Sequence, residues 1–144
     1  MKELLASYES LLTGRWITDL ANTSAFIFNE IPRLNWAGFY LVENDSLVLG
    51  PFQGKPACTD IPFGKGVCGT SASKRETIVV PNVHEFAGHI ACDSASQSEI
   101  VVPIIVKDRL LGVLDVDSPE LSRFGESEKT FLESIVRILC AKFS

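Results

Sequence analysis

The chain has 144 residues, of which 46% are hydrophobic and 22% charged, a balance that suits a single ordinary globular domain spanning residues 1–144. A net charge of -5 with no cationic stripe argues against nucleic acid as a partner, although a small anion would need only a local site. The longest strongly apolar stretch, "IVVPIIV", is far short of the ~20 residues of a membrane span, and the early charges of "MKELLASYESLLTGRW" do not suit a secretory signal. The expected location is therefore the cytoplasm, where four cysteines are core residues, metal ligands or redox-active thiols rather than a static disulfide framework.

Residues 2 to about 30 read as helical. Leu4, Leu5, Leu11 and Leu12 form an apolar stripe, and Ile17, Leu20, Ala21 and Ser24 continue the period after Gly14, until Pro32 stops it. "WAGFYLVE" reads as a strand from Trp36. Asn44–Asp45 is a turn, and "SLVLG" returns as the second arm of a hairpin. Residues 50 to 75 read as irregular, with five of the ten glycines and three of the seven prolines.

"TIVVP" is a short strand, and residues 82 to 97 form a polar loop. "SEIVVPIIV" and "LLGVLDVDS" make two strands about the turn "KDR". "GESEKTFLESIVRILCAKF" is a helix with acids at its start, basic residues near its end, and Phe131, Ile135, Ile138 and Leu139 toward the core. The order predicts an α+β fold, a central antiparallel sheet with the N- and C-terminal helices packed on one side. Its long central loops are of the kind that carry function.

Three cysteines fall in those loops. The segment "GHIACDSASQSE" surrounds Cys92 with small and polar residues, an environment unlike that of an inert packed thiol, and Cys58 and Cys68 have similar neighbours. Cys140 lies in the C-terminal helix and reads as a core thiol. Zinc is a poor fit to the available ligands His84, His89, Cys58, Cys68 and Cys92, because no CxxC knuckle is present. "GKGVCG" satisfies GxGxxG through Gly64, Gly66 and Gly69. It lacks a preceding parallel strand and a full helix, so the match reads as chance, with the glycines allowing a sharp turn beside Cys68.

Alternation along "LLGVLDVDS" puts Leu111, Val113, Asp115 and Asp117 on one face. Trp36 and Tyr40 share a face of their own strand, and Glu99 opens the strand after the Cys92 loop. The acids either face solvent or pair with arginine, or else these faces converge. Convergence would give an aromatic wall, three carboxylates and a thiol, with at least one carboxyl held protonated by its neighbours.

With "NWAGFYL", "LGPFQGKPAC", "GKGVCGT", "VPNVHEFAGHIACDSASQSEIVVPI" and "GVLDVDSP" in place, the chain resembles the free methionine-R-sulfoxide reductases, which are built on a GAF-type domain. The cysteine spacings, 10 positions from Cys58 to Cys68 and 24 from Cys68 to Cys92, fit as well. The resemblance implies a GAF-like fold and a thiol-dependent L-methionine (R)-S-oxide reductase. It makes Cys92 the attacking thiol, Cys58 the main resolving thiol and Cys68 a second or alternative partner. Glu99, Asp115 and Asp117 become pocket acids, with Glu99 or Asp117 acting on the departing oxygen. Trp36, with Tyr40 near it, becomes the wall beside the substrate methyl.

Backbone N–H groups around Ile90, Ala91 and Cys92 are the expected donors to the substrate carboxylate. The resemblance further implies no bound cofactor, recycling by thioredoxin and NADPH, and a homodimer. Resolution of distant thiols requires segment 50–68 or 84–97 to move between redox states. The alternative is a GAF module that binds a small ligand and does no chemistry, a reading that leaves three loop thiols beside clustered acids unexplained.

Overall fold

The structure, a computed structural model, describes residues 2–90 and 92–144. Helices α1 (Lys2–Leu11) and α2 (Trp16–Glu30) lead into strands β1 (Trp36–Glu43), β2 (Ser46–Gly54) and β3 (Asp60–Pro62). Helix α3 (Gly66–Lys74) precedes β4 (Ile78–Val80), then β5 (Ser98–Val106), β6 (Arg109–Ser118) and helix α4 (Glu126–Ala141). The strands form one six-stranded sheet in the order β3-β2-β1-β6-β5-β4, and every pair is antiparallel. Among the described residues no helix is long and apolar enough to cross a membrane.

The predicted helical run 2–30 is two helices. The break falls at Gly14, whose φ of 84° is left-handed. Asp19 secures it from the first turn of α2: its carboxylate accepts from the Thr13 N–H, the Thr13 hydroxyl and the Gly14 N–H, each at 2.8 Å. The buried stripe of α2 is Leu20, Ser24 and Ile27, with Thr23 beside it, while Ile17 and Ala21 face solvent.

Both two-residue hairpin turns, Asn44–Asp45 and Lys107–Asp108, hold positive φ at both positions, as the right-handed twist of paired strands favours. β2 continues through Pro51 to Gly54. Pro51 is tolerated because β3 pairs only with Ser46, Leu47 and Val48, so beyond them β2 is an edge strand.

One face of the sheet carries the main core, in which Ala37, Phe39, Ile100, Val102, Ile104, Leu114 and Val116 meet α1, α2 and α4. The terminal helices therefore share one side, as expected. Phe131, Ile135 and Leu139 of α4 are buried, with Ile138 and Cys140 packed at the edge. No basic residue lies in the last turn of α4; Arg137 sits inside the helix and Lys142 follows it.

The stretch 50–75, expected to be irregular, contains the end of β2 and all of β3 and α3. Helix α3 lies on the opposite face from the other three and packs over β5 and β6. Its small residues allow the close approach: a Cβ on Gly69 would collide with the Pro62 carbonyl. Leu111 is a correction. The register shifts between Ile104 and Ile105, so Leu110 joins Val113 on the α3 face while Leu111 packs with the helical core. Beyond this bulge the alternation resumes, placing Asp115 and Asp117 on the α3 face.

Candidate active site

Two adjacent strands, β5 and β6, place the acids side by side. Trp36 on β1 pairs with Asp117 on β6, Asp117 with Glu99 on β5, and Glu99 with Val80 on β4. One pair further along β6, Asp115 lies between Gly38 and Val101. Glu99, Asp115 and Asp117 are at most 7% exposed, and among the described residues no arginine or lysine forms an ion pair with them. The faces converge, one of the three arrangements the sequence left open.

Burial is the largest influence on Asp115 and Asp117 and pushes both carboxyls well above the usual carboxylate range. For Asp115 the negative charges of Asp117 and Glu99 add to it, and for Asp117 the charge of Glu99 does. Burial and crowding therefore favour the protonated form within this acid cluster, which can supply a proton.

Cys68 is on helix α3 rather than in a loop, and its thiol is buried against the acids. Its Sγ and a carboxylate oxygen from each of Glu99 and Asp115 lie within 4.8 Å of one another. Burial, followed by the Asp115, Glu99 and Asp117 charges, raises the Cys68 pKa well above the ordinary thiol value. In the disulfide-bonded state this favours the Cys68 thiol over its thiolate.

Cys92 is bonded instead to Cys58, with Cα atoms 5.3 Å apart across 34 residues of sequence. Cys92 lines a cavity of about 40 Å³ whose wall also includes Tyr40, Cys68, Glu99, Asp115 and Asp117. The sequence thus brings one thiol pair, one buried thiol and three acids to a single place. Of the five zinc candidates, Cys68, His89 and Cys92 line this cavity, Cys58 is bonded to Cys92, and the His84 ring lies 3.2 Å from the Gln97 side-chain oxygen.

The aromatic residues frame this cavity unequally. Tyr40 lines it, and its hydroxyl donates to the Cys58 carbonyl at 2.9 Å. The Trp36 ring stacks on Tyr40 and on Phe52 with centroids 5.9 and 5.1 Å apart, and its Nε1 donates to the Lys55 carbonyl. Trp36 is not among the residues lining the cavity in this disulfide-bonded state. Ile90 lines the cavity, but the Cys92 N–H donates to the Ile90 carbonyl at 3.1 Å and is occupied there. Ala91, expected to bind substrate through its backbone, lies outside the described residues.

One residue of this neighbourhood escaped the sequence reading. Asn35 directs its Nδ2 to Asp93 Oδ2 and to Ser96 Oγ, both at 3.0 Å, tying the Cys92 loop to the start of β1. No local pattern reveals such a bond, because its partners are 58 and 61 residues away.

The GAF domain family model matches residues 17–141. The free methionine-R-sulfoxide reductase of Escherichia coli is 48% identical over 93% of this chain and 82% of its own length. The chain belongs to the free methionine-R-sulfoxide reductase family of GAF domains. Solved members of the family superimpose closely on it. The Staphylococcus aureus fRMsr in its reduced form gives a TM-score of 0.96 at 49% identity, covering 99% of this chain and 94% of that one. The same protein in complex with its substrate gives 0.95 at 48% identity, covering 99% and 95%. The family resemblance noted in the sequence therefore holds for fold and membership alike.

Proposed function

We propose that the chain reduces free L-methionine-R-sulfoxide to methionine, with Cys92 as nucleophile and Cys58 as resolving thiol. The observation carrying this reading is the Cys58–Cys92 bond, whose Cys92 half lines the same cavity as three buried acids. A sulfoxide oxygen leaves poorly unless protonated. Asp117, whose protonated form is favoured by burial and by the Glu99 charge, is suited to supply that proton while the Cys92 thiolate attacks sulfur.

The Cys92–sulfur adduct then collapses: the protonated oxygen moves to Cys92 as the new S–S bond breaks, methionine sulfur keeps the electron pair of the broken S–O bond, and Cys92 is left as a sulfenic acid. The Cys58 thiol displaces that oxygen as water and forms the disulfide. An external dithiol, thioredoxin drawing on NADPH, then accepts the disulfide's oxidation and returns both thiols. Cys68 serves as the second partner if Cys58 is lost.

Selectivity for the free amino acid follows from charge. The acid cluster suits the substrate ammonium, and a peptide-bound residue lacks that ammonium and would leave buried acids unpartnered. The test supplies both epimers, free and within a peptide, to the chain with thioredoxin and its reductase, and follows NADPH consumption. Consumption with the free R epimer alone is expected, and Cys92→Ser should abolish it. Cys58→Ser together with Cys68→Ser should permit one stoichiometric turnover without recycling. Equal turnover of the peptide-bound form, or binding of the free epimer with no turnover in the wild type, would overturn the proposal, the latter in favour of a binding module.

A further inference from the structure

The cavity beside Cys92 is small. Its volume of about 40 Å³ accommodates roughly three waters at ~10–15 Å³ each, too little for an amino acid but ample for a single ion. Its wall is heavily acidic, with Glu99, Asp115 and Asp117 joined by Asp93, and it includes the Cys68 thiol. The Cys68 Sγ and the nearest oxygens of Glu99 and Asp115 lie within 4.8 Å of one another, close enough to converge on one centre with small side-chain rotations. A second observation points the same way. Asp115 is 6% exposed, and its Oδ1 has no hydrogen-bond partner among the described residues. An acceptor buried without a donor is costly, and a cation offsets that cost directly.

We propose that in the disulfide-bonded chain Cys68, Glu99 and Asp115 form a binding site for a thiophilic divalent cation of the zinc or cadmium class. One sulfur and two carboxylate oxygens make a mixed donor set that suits a borderline-soft ion, whereas magnesium or calcium calls for oxygen throughout. Binding converts the Cys68 thiol to a thiolate and displaces any proton held between Glu99 and Asp115, all released to solvent, with no change of oxidation state. The ion occupies the position where the substrate ammonium is expected. Competition with substrate therefore rests on the proposed reductase activity, whereas ion binding itself does not.

The disulfide makes the test selective, because with Cys58 and Cys92 bonded the remaining thiols are Cys68 and Cys140. Cadmium is titrated into the oxidised chain, with binding followed by calorimetry and by the ultraviolet thiolate-to-cadmium charge-transfer band. One equivalent and a clear band are expected in the wild type and in Cys140→Ser, and no comparable heat with magnesium. Cys68→Ser should lose the band, and the isosteric Asp115→Asn, which serves should Cys68→Ser fail to fold, should weaken binding by at least about tenfold. A band that persists in Cys68→Ser, unchanged affinity in Asp115→Asn, or no cadmium uptake by the folded wild type would overturn the proposal.

Discussion

Asn35 and Asp93 are joined by a 3.0 Å hydrogen bond, from the Asn35 amide at the start of β1 to the carboxylate next to Cys92. The other Asp93 oxygen accepts from the Ala95 N–H at 2.9 Å, so this one carboxylate both shapes the loop and anchors it. Asn35→Asp keeps the shape of the side chain but faces Asp93 with a second carboxylate. A partly buried bond lost to repulsion costs on the order of 1–3 kcal/mol, so kcat/KM should fall about tenfold. Adding Asp93→Asn to that variant restores the bond with donor and acceptor exchanged between the two positions, and should recover most of the loss. A double-mutant cycle on kcat/KM checks this, and purely additive losses would show that the tie does not position Cys92.

Tyr40 holds the other half of the disulfide through its hydroxyl bond to the Cys58 carbonyl. Tyr40→Phe preserves the ring stacked on Trp36 and removes only the donor. The expected outcome is a folded protein in which Cys58 closes on Cys92 several-fold more slowly, consistent with a bond of ~1 kcal/mol. Single-turnover trapping of the Cys92 sulfenic acid measures this directly: its lifetime should lengthen while the rate of methionine release holds.

Much of this arrangement was legible from residue order. The two hairpins announced themselves through the polar turns Asn44–Asp45 and "KDR", whose residues 44, 45, 107 and 108 all take a left-handed backbone. Asp115 and Asp117 were placed correctly because strand alternation is strict away from irregularities. Leu111 was not, since the bulge opposite Ile104 and Ile105 shifts the alternation by one, a pairing property no single strand displays. Helix α3 was legible only as about two possible turns after Gly66, because its glycines and serines also suit a loop; Gly69 is needed where the helix meets the turn at Pro62 and Gly64. The extension of β2 was hidden by Pro51, tolerated only because β3 is short.

Asp19 links pH to stability through the break between α1 and α2. Burial opposes its charge, but the Thr13 and Gly14 bonds outweigh burial, and the carboxyl sits below its ordinary value of 3.8. A depressed pKa gives stability that is complete above the unfolded value and is lost as pH falls through the folded one. Thermal unfolding should therefore show a loss in the wild type below about pH 3.8 that is reduced in Asp19→Asn. At neutral pH, Asp19→Ala should cost about 1–2 kcal/mol, as other losses of a helix-start acceptor do. Equal acid sensitivity in wild type and Asp19→Asn would assign the effect elsewhere.

The closed cavity sets the last expectation. With Cys58 bonded to Cys92, the space beside the acids is about 40 Å³, so methionine sulfoxide is expected to bind only once the bond opens. Reduction frees Cys92, and the loop from 84 to 97 is then held mainly by polar ties that water can replace, those from Asn35 to Asp93 and Ser96 and from the Val83 N–H to the Gln97 carbonyl. The strands beneath are bound by full ladders and buried side chains, so motion should be confined to this loop and to the stretch around Cys58. Hydrogen exchange compared between oxidised and reduced chains should show faster exchange in 84–97 and unchanged protection in β1, β5 and β6. Calorimetry should show methionine sulfoxide binding to Cys92→Ser, which cannot form the bond, and no binding to the oxidised wild type. Equal affinity in the two, with identical exchange, would mean that the disulfide does not gate the site.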